Sequence, residues 1–142
     1  PDSAWMVGLR DPNAGSVVVR AEYGAIRMLL MGDAESGEEE RLEEAYGPAL
    51  RSDVLKVGHH GSNTSSTPGF LALVRPRVAL ISVGAGNVYG HPSASVLRAL
   101  TAVGAAVVRT DLEGSIVCRT DGQRLEIEEG GDRWSVAPRA EP

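Results

Sequence analysis

Two segments of this chain end an apolar run in side chains that bind metals. Gly32-Asp33 follows Ile26, Met28, Leu29, Leu30 and Met31, and His59-His60 follows Val54, Leu55 and Val57. Both apolar runs read as buried strands. Two such strand ends side by side would make a metal site, and a neutral imidazole with a carboxylate is a donor set that suits zinc or manganese. Asp33 taken alone reads equally well as the cap of a following helix. His-His-Gly-Ser at a strand end resists that kind of explanation, because buried imidazoles are costly unless a metal or hydrogen bonds occupy them. Alternation along a strand puts the two histidines on opposite faces and leaves open which one points inward.

The elements that must position these side chains follow from the pattern of the sequence. Residues 16–23 and 25–31 are β-rich runs meeting at Gly24, the signature of a hairpin. Residues 38–46 carry helix formers, with Leu42 and Ala45 on one side. Residues 53–58 form the next strand, and the polar loop 61–66 leads to a short helix opened by Thr67-Pro68 that buries Phe70, Leu71 and Leu73. The strand at 77–83 has an almost wholly apolar interior, which suits a sheet covered on both faces. After the loop 84–92 comes an amphipathic helix at 93–103 with Val96, Leu97, Leu100 and Val103 on its buried side. Strands at 105–109, 114–120 and 124–128 close the domain, the last two joined at Asp121-Gly122. Alternating strands and helices imply a layered α/β fold. Residues 130–142, rich in Gly, Pro and charge, are expected to be a flexible tail in spite of Trp134.

Composition excludes several classes. A chain of 142 residues suits one domain, and 14 Lys plus Arg against 19 Asp plus Glu leave a net charge of -5. That charge argues against a broad nucleic-acid footprint, so any phosphate contact must be local. The acidic block 35–44 reads as a solvated helix face. The single cysteine, Cys118, excludes an internal disulfide and lies in an apolar-alternating run where packing is its default role. No run approaches the roughly 18 apolar residues of a membrane span, so the chain reads as soluble. With Pro1 as its first residue, the chain is expected to be an excised piece or processed product of something longer.

Four segments carry a family resemblance: Asn13-Ala-Gly-Ser-Val-Val-Val19, Leu29-Leu-Met-Gly-Asp-Ala-Glu35, Val54-Leu-Lys-Val-Gly-His-His-Gly-Ser62 with Ser65-Ser66, and Gly86-Asn-Val-Tyr-Gly-His-Pro-Ser93. They resemble segments that occur in the same order in the C-terminal part of the metallo-β-lactamase-like domain of ComEC-type DNA-uptake (natural competence) proteins, and the similarity runs from about Asn13 to Glu128. The resemblance implies that residues 1–129 are the C-terminal half of an αββα metallohydrolase fold with a two-metal phosphodiesterase or nuclease role, degrading the DNA strand that is not transported. It further implies a soluble domain of a bacterial inner-membrane protein, on the extracytoplasmic side. Its partners would be single-stranded DNA, the remainder of the metallo-β-lactamase domain and a membrane channel.

Carried over position by position, Asp33 resembles the carboxylate that bridges the two metals, and one of His59 and His60 resembles the histidine on the second metal. His60 is the preferred ligand, and His59 would then orient the phosphate or donate a proton. His91, before Pro92 at a helix start, is a third ligand candidate or else a histidine that holds its own loop. Ser62, Asn63 and Ser65 are placed to donate hydrogen bonds to phosphate oxygens, while Ser65 and Ser66 equally suit a cap for the next helix. Tyr89 would stack on a base or cover the loop. The family draws most of its ligands from a His-x-His-x-Asp-His motif in the N-terminal half, and this chain has three histidines and no such motif. Its own donors fill at most one divalent ion, weakly. The chain alone is therefore expected to be inactive as a nuclease, and its uncovered apolar face to favour self-association. Two rival readings are a free-standing phosphodiesterase or phosphorylcholine-esterase-like hydrolase with the same half-motif, and a metal-free docking module of the channel.

Overall fold

Period-two alternation decides which of two cores each strand residue joins. In the computed structural model, which describes residues 12–136, β1 (Val19–Tyr23), β2 (Ile26–Leu30), β3 (Val54–Lys56), β4 (Val78–Ile81) and β5 (Ala106–Arg109) form one sheet in that order. β1 and β2 are antiparallel, with Tyr23 opposite Ile26 across Gly24-Ala25, so the hairpin expected at Gly24 is present. β2 to β5 are parallel. Their crossovers carry the helices α1 (Ser36–Tyr46), α2 (Pro68–Val74) and α3 (Ala94–Ala102).

Leu29, Met31, Leu55, Val57, Ala79 and Ile81 pack with Phe70, Leu71, Val74, Val96 and Leu100 from the helices. The residues of opposite parity, Ile26, Val54, Val78 and Val108, pack with Leu125, Ile127 and Val136. Those last three belong to a second, antiparallel sheet of β6 (Val117–Thr120), β7 (Leu125–Glu129) and β8 (Asp132–Val136). The layers are helices, sheet and second sheet, a mixed α/β fold. Full burial of each large aliphatic side chain contributes about 1.5–3 kcal/mol, so the two cores lock both faces of the five-stranded sheet.

Three expectations change. The stretch read as a flexible tail contains β8, which pairs with β7 and is held further by Trp134 Nε1, which donates to Glu129 Oε1 at 2.8 Å. Residues 137–142 lie outside the described residues. A single helical turn, α4 (Thr110–Glu113), separates β5 from β6, and β6 begins at Val117 where a strand from Gly114 was expected. α1 is not simply a solvated acidic helix, and Ala45 on its supposed apolar side is exposed. Its one buried residue is Glu39, whose carboxylate accepts the backbone N–H groups of Ser66 at 2.5 Å and Thr67 at 2.8 Å. Orphan donors at the start of α2 drew that charge inward. Among the described residues no helix is long and apolar enough to cross a membrane.

Candidate functional site

Ligands of parallel α/β sheets gather beyond the C-terminal strand ends, and here the ends of β2, β3 and β4 bring three loops together. The β2 loop carries Asp33 and Glu35, the β3 loop His59 and His60, and the β4 loop Tyr89 and His91. Backbone bonds fasten the loops to one another: His59 N–H donates to Gly32 O at 3.1 Å, Ser36 N–H to Thr64 O at 2.8 Å and Ser93 N–H to Gly61 O at 2.9 Å. Glycine is required at two of the contacts. A Cβ on Gly58 would come within 2.5 Å of Ala34 O, and one on Gly61 within 2.7 Å of Pro92 Cβ.

His59 and His60 do not continue the strand. They form a tight turn at Gly58–Gly61 in which both have left-handed backbone, φ 43° and 54°. Two adjacent non-glycine residues in that region cost about 1–2 kcal/mol each. Such strain persists where surrounding structure over-determines it, often at functional sites. Ser65 helps to over-determine it, because its buried hydroxyl is shared between Gly58 O and Ser62 O, at 2.9 and 3.0 Å. The turn also removes the alternation argument. Instead of facing opposite sides, the two imidazoles sit 6.3 Å apart, edge to face, and the His91 ring lies 5.8 Å from that of His59.

The titratable groups form two histidine–carboxylate pairs. His60 Nε2 lies 3.4 Å from Asp33 Oδ1, while its Nδ1 is 2.6 Å from Ser82 O. His59 Nδ1 lies 2.6 Å from Glu35 Oε1 without the alignment of a directed hydrogen bond, so it is a charge contact when the ring is protonated. Asp33 does not cap α1: the residue before that helix is Glu35, whose N–H donates to Glu38 Oε2 at 3.1 Å. Asp33 is instead held by its own N–H, which donates to Ser16 Oγ at 3.2 Å. Beside it, Lys56 Nζ donates to Gly32 O at 3.1 Å. Burial pulls the Lys56 ammonium below the usual lysine range, and the negative charge of Asp33 partly offsets that.

Asp33, His59, His60 and His91 are thus brought together, and Tyr89 stacks on His91 at 6.0 Å between ring centres. Ser62 is buried and its hydroxyl pairs with Thr64 Oγ1 at 2.9 Å, whereas Asn63 is exposed on the loop. Among the described residues no group of three His, Cys, Asp or Glu side chains is arranged to hold a metal ion. Sequence reasoning missed Glu35 and Lys56 as site residues. Glu35 had been absorbed into the acidic block, although its place two residues after Asp33 and ahead of the helix was a signal. Lys56 is the only lysine in the chain, and its position at the end of an apolar strand was the clue.

The chain aligns with parts of longer proteins. Over 106 residues the chain is 43% identical to Competence protein ComA of Neisseria gonorrhoeae, covering 75% of this chain and 15% of that protein. Over 107 residues it is 39% identical to ComE operon protein 3 of Bacillus subtilis, again 75% of this chain and 14% of the relative. The chain is related to a segment of the ComEC-type competence proteins. Recombination protein 2 of Haemophilus influenzae extends the match to 126 residues at 37% identity, 89% of this chain and 16% of that protein. The chain therefore spans about one-sixth or less of the length of these curated relatives. No family model matches it.

Proposed function

We propose that this site belongs to a metal-dependent phosphodiesterase acting on DNA, and that the chain forms the C-terminal half of a metallo-β-lactamase-like αββα domain of a competence channel protein. The helix, sheet and second-sheet layering and the kinship to competence proteins support this reading. The observation that carries it is the Asp33–His60 pair. Ser82 O can only accept, so Nδ1 of His60 holds the proton and a neutral His60 turns a bare Nε2 toward Asp33 Oδ1. Two acceptors facing each other at 3.4 Å call for a proton or a cation between them. Two donors about 2.0–2.2 Å from one tetrahedral ion would be roughly 3.3–3.6 Å apart, so the spacing of the pair fits one zinc ion.

Asp33 and His60 would hold that ion, which when bound supplies Lewis-acid charge at a phosphoryl oxygen. His59, with Nδ1 turned to Glu35, is left to present Nε2 to a phosphate oxygen or a leaving group. His91 adds a second imidazole on that side, and Asn63 an exposed amide. The substrate would be the single strand left outside during uptake, with the domain on the extracytoplasmic side of the inner membrane.

The absence of a converging donor triad among the described residues favours one alternative, a docking module that needs no metal. Calorimetric titration of manganese or zinc into the chain separates the two. One weak site per chain, removed by both Asp33→Asn and His60→Ala, supports the hydrolase reading; no binding leaves the docking module. Labelled single-stranded DNA should survive incubation with the chain alone. Cleavage that disappears in His60→Ala would establish the activity and show that the chain needs no further half.

A further inference from the structure

We propose that Tyr89 and His91 form a nucleobase-binding subsite, with Tyr89 as the platform on which an unpaired base beside the bound phosphate stacks. The ligand class rests on the nucleic-acid reading above; the subsite itself rests on the geometry of four rings. They follow one another in successive contacts starting from the exposed Tyr89: Tyr89 to His91 is 6.0 Å between centres, His91 to His59 5.8 Å and His59 to His60 6.3 Å. The series ends where His60 meets Asp33. The two histidine–histidine pairs are edge to face, with planes at 60° and 64°, and only the Tyr89–His91 pair is stacked, at 19°. One face of the Tyr89 ring is thus backed by a parallel ring, while the residue is 79% exposed and its neighbour Val88 90% exposed.

A single exposed tyrosine needs no explanation. What distinguishes this one is that its loop is clasped on both sides. Asn87 Oδ1 accepts His91 N–H at 3.0 Å, and Asn87 Nδ2 donates to His91 O at 2.7 Å and to Gly84 O at 3.3 Å. Pro92 is pressed on Gly61 from below. A loop held at both ends in this way, with the ring resting on His91, loses less freedom when a ligand arrives than a free loop would, which is the condition under which stacking turns into affinity. A flat, parallel, open face suits another π system, and every base offers one regardless of sequence. Bases inside a duplex are already stacked on both faces, so the platform selects unpaired strands. It also supplies affinity without a basic groove, which a chain of net charge -5 is poorly placed to provide.

The test uses the complete chain, without divalent ions, and fluorescence anisotropy with three labelled probes: a thymidine oligonucleotide, an abasic strand of equal length and a duplex. Wild type should bind the thymidine strand more tightly than either other probe. Tyr89→Ala should weaken binding to the thymidine strand by about 5- to 100-fold, leave the abasic strand unchanged and preserve the circular dichroism spectrum, and Tyr89→Phe should retain the affinity. Equal binding by wild type and Tyr89→Ala, an equal loss on thymidine and abasic strands, or no binding by wild type would each overturn the subsite. The metal titration fails independently: loss of the Asp33–His60 ion site with the Tyr89 effect intact removes the hydrolase reading and leaves the subsite standing.

Discussion

Nδ1 of His60 lies 2.6 Å from the carbonyl oxygen of Ser82. That contact assigns the proton of the neutral ring to Nδ1 and leaves Nε2 as the face turned to Asp33. Nitrogen-15 NMR of the deprotonated ring should therefore show the Nδ1–H tautomer for His60, and addition of zinc should shift its Nε2 signal. An Nε2–H tautomer would point to His59 as the ligand in its place.

Gly61→Ala should destabilise the chain by about 2–4 kcal/mol, combining a disfavoured left-handed backbone with overpacking. Gly61 has φ +82°, and the added Cβ would stand 2.7 Å from Pro92 Cβ. Urea denaturation measures the loss. Because the same contact joins the His60 turn to the His91 loop, the variant should also lose chemical-shift coupling between the histidines. An unchanged unfolding midpoint would mean that the loops are not clamped at this point.

Glu39→Ala should cost about 2–4 kcal/mol, since it leaves the buried N–H groups of Ser66 and Thr67 without an acceptor. Burial raises the Glu39 carboxyl above the ordinary glutamate value of 4.5, and the bonds from Thr67 and Ser66 oppose the rise. With the folded value above the unfolded one, the native state holds more protons across the gap. The stability linked to this group is then fully present below 4.5 and is lost as pH rises through the folded value. Denaturation midpoints of wild type relative to Glu39→Gln should decline over that window and level off above it, whereas a rise would reverse the assignment.

Lys56→Met should tighten manganese binding by roughly 2- to 5-fold, an effect of the size seen for partly screened charge pairs. The ammonium is a fixed positive charge beside Asp33 and opposes a second cation there. The fold should tolerate the change, because Gly32 O keeps the N–H of His59 as a donor. Added salt should shrink the difference between the two proteins in calorimetry. Weaker binding by Lys56→Met would show that the lysine matters through its bond to the Asp33 loop.

Much of this protein was determined by the sequence alone. The hairpin at Gly24, the parallel strands ahead of Asp33 and His59, and the meeting of Asp33 with the histidines all follow from local apolar runs that end in polar ligands, because burial of alternate residues is a local property of the chain. What depends on contacts distant in sequence was decided by tertiary structure. β8 looked like a tail because Asp132–Val136 is polar outside Trp134 and Val136, and it becomes a strand only when β7 is present to pair with it. The left-handed turn at His59 and His60 has no decisive signature in the residues themselves, since only a few per cent of non-glycine residues, histidine included, adopt that backbone; it sits between the close approaches of Ala34 to Gly58 and of Pro92 to Gly61. That turn, and no strand alternation, puts both imidazoles on one side. The pairings of His60 with Ser82, His59 with Glu35 and Glu39 with the start of α2 join residues 22 to 28 positions apart. A carboxylate in an acidic block reads as solvated until the fold brings an unsatisfied donor to it.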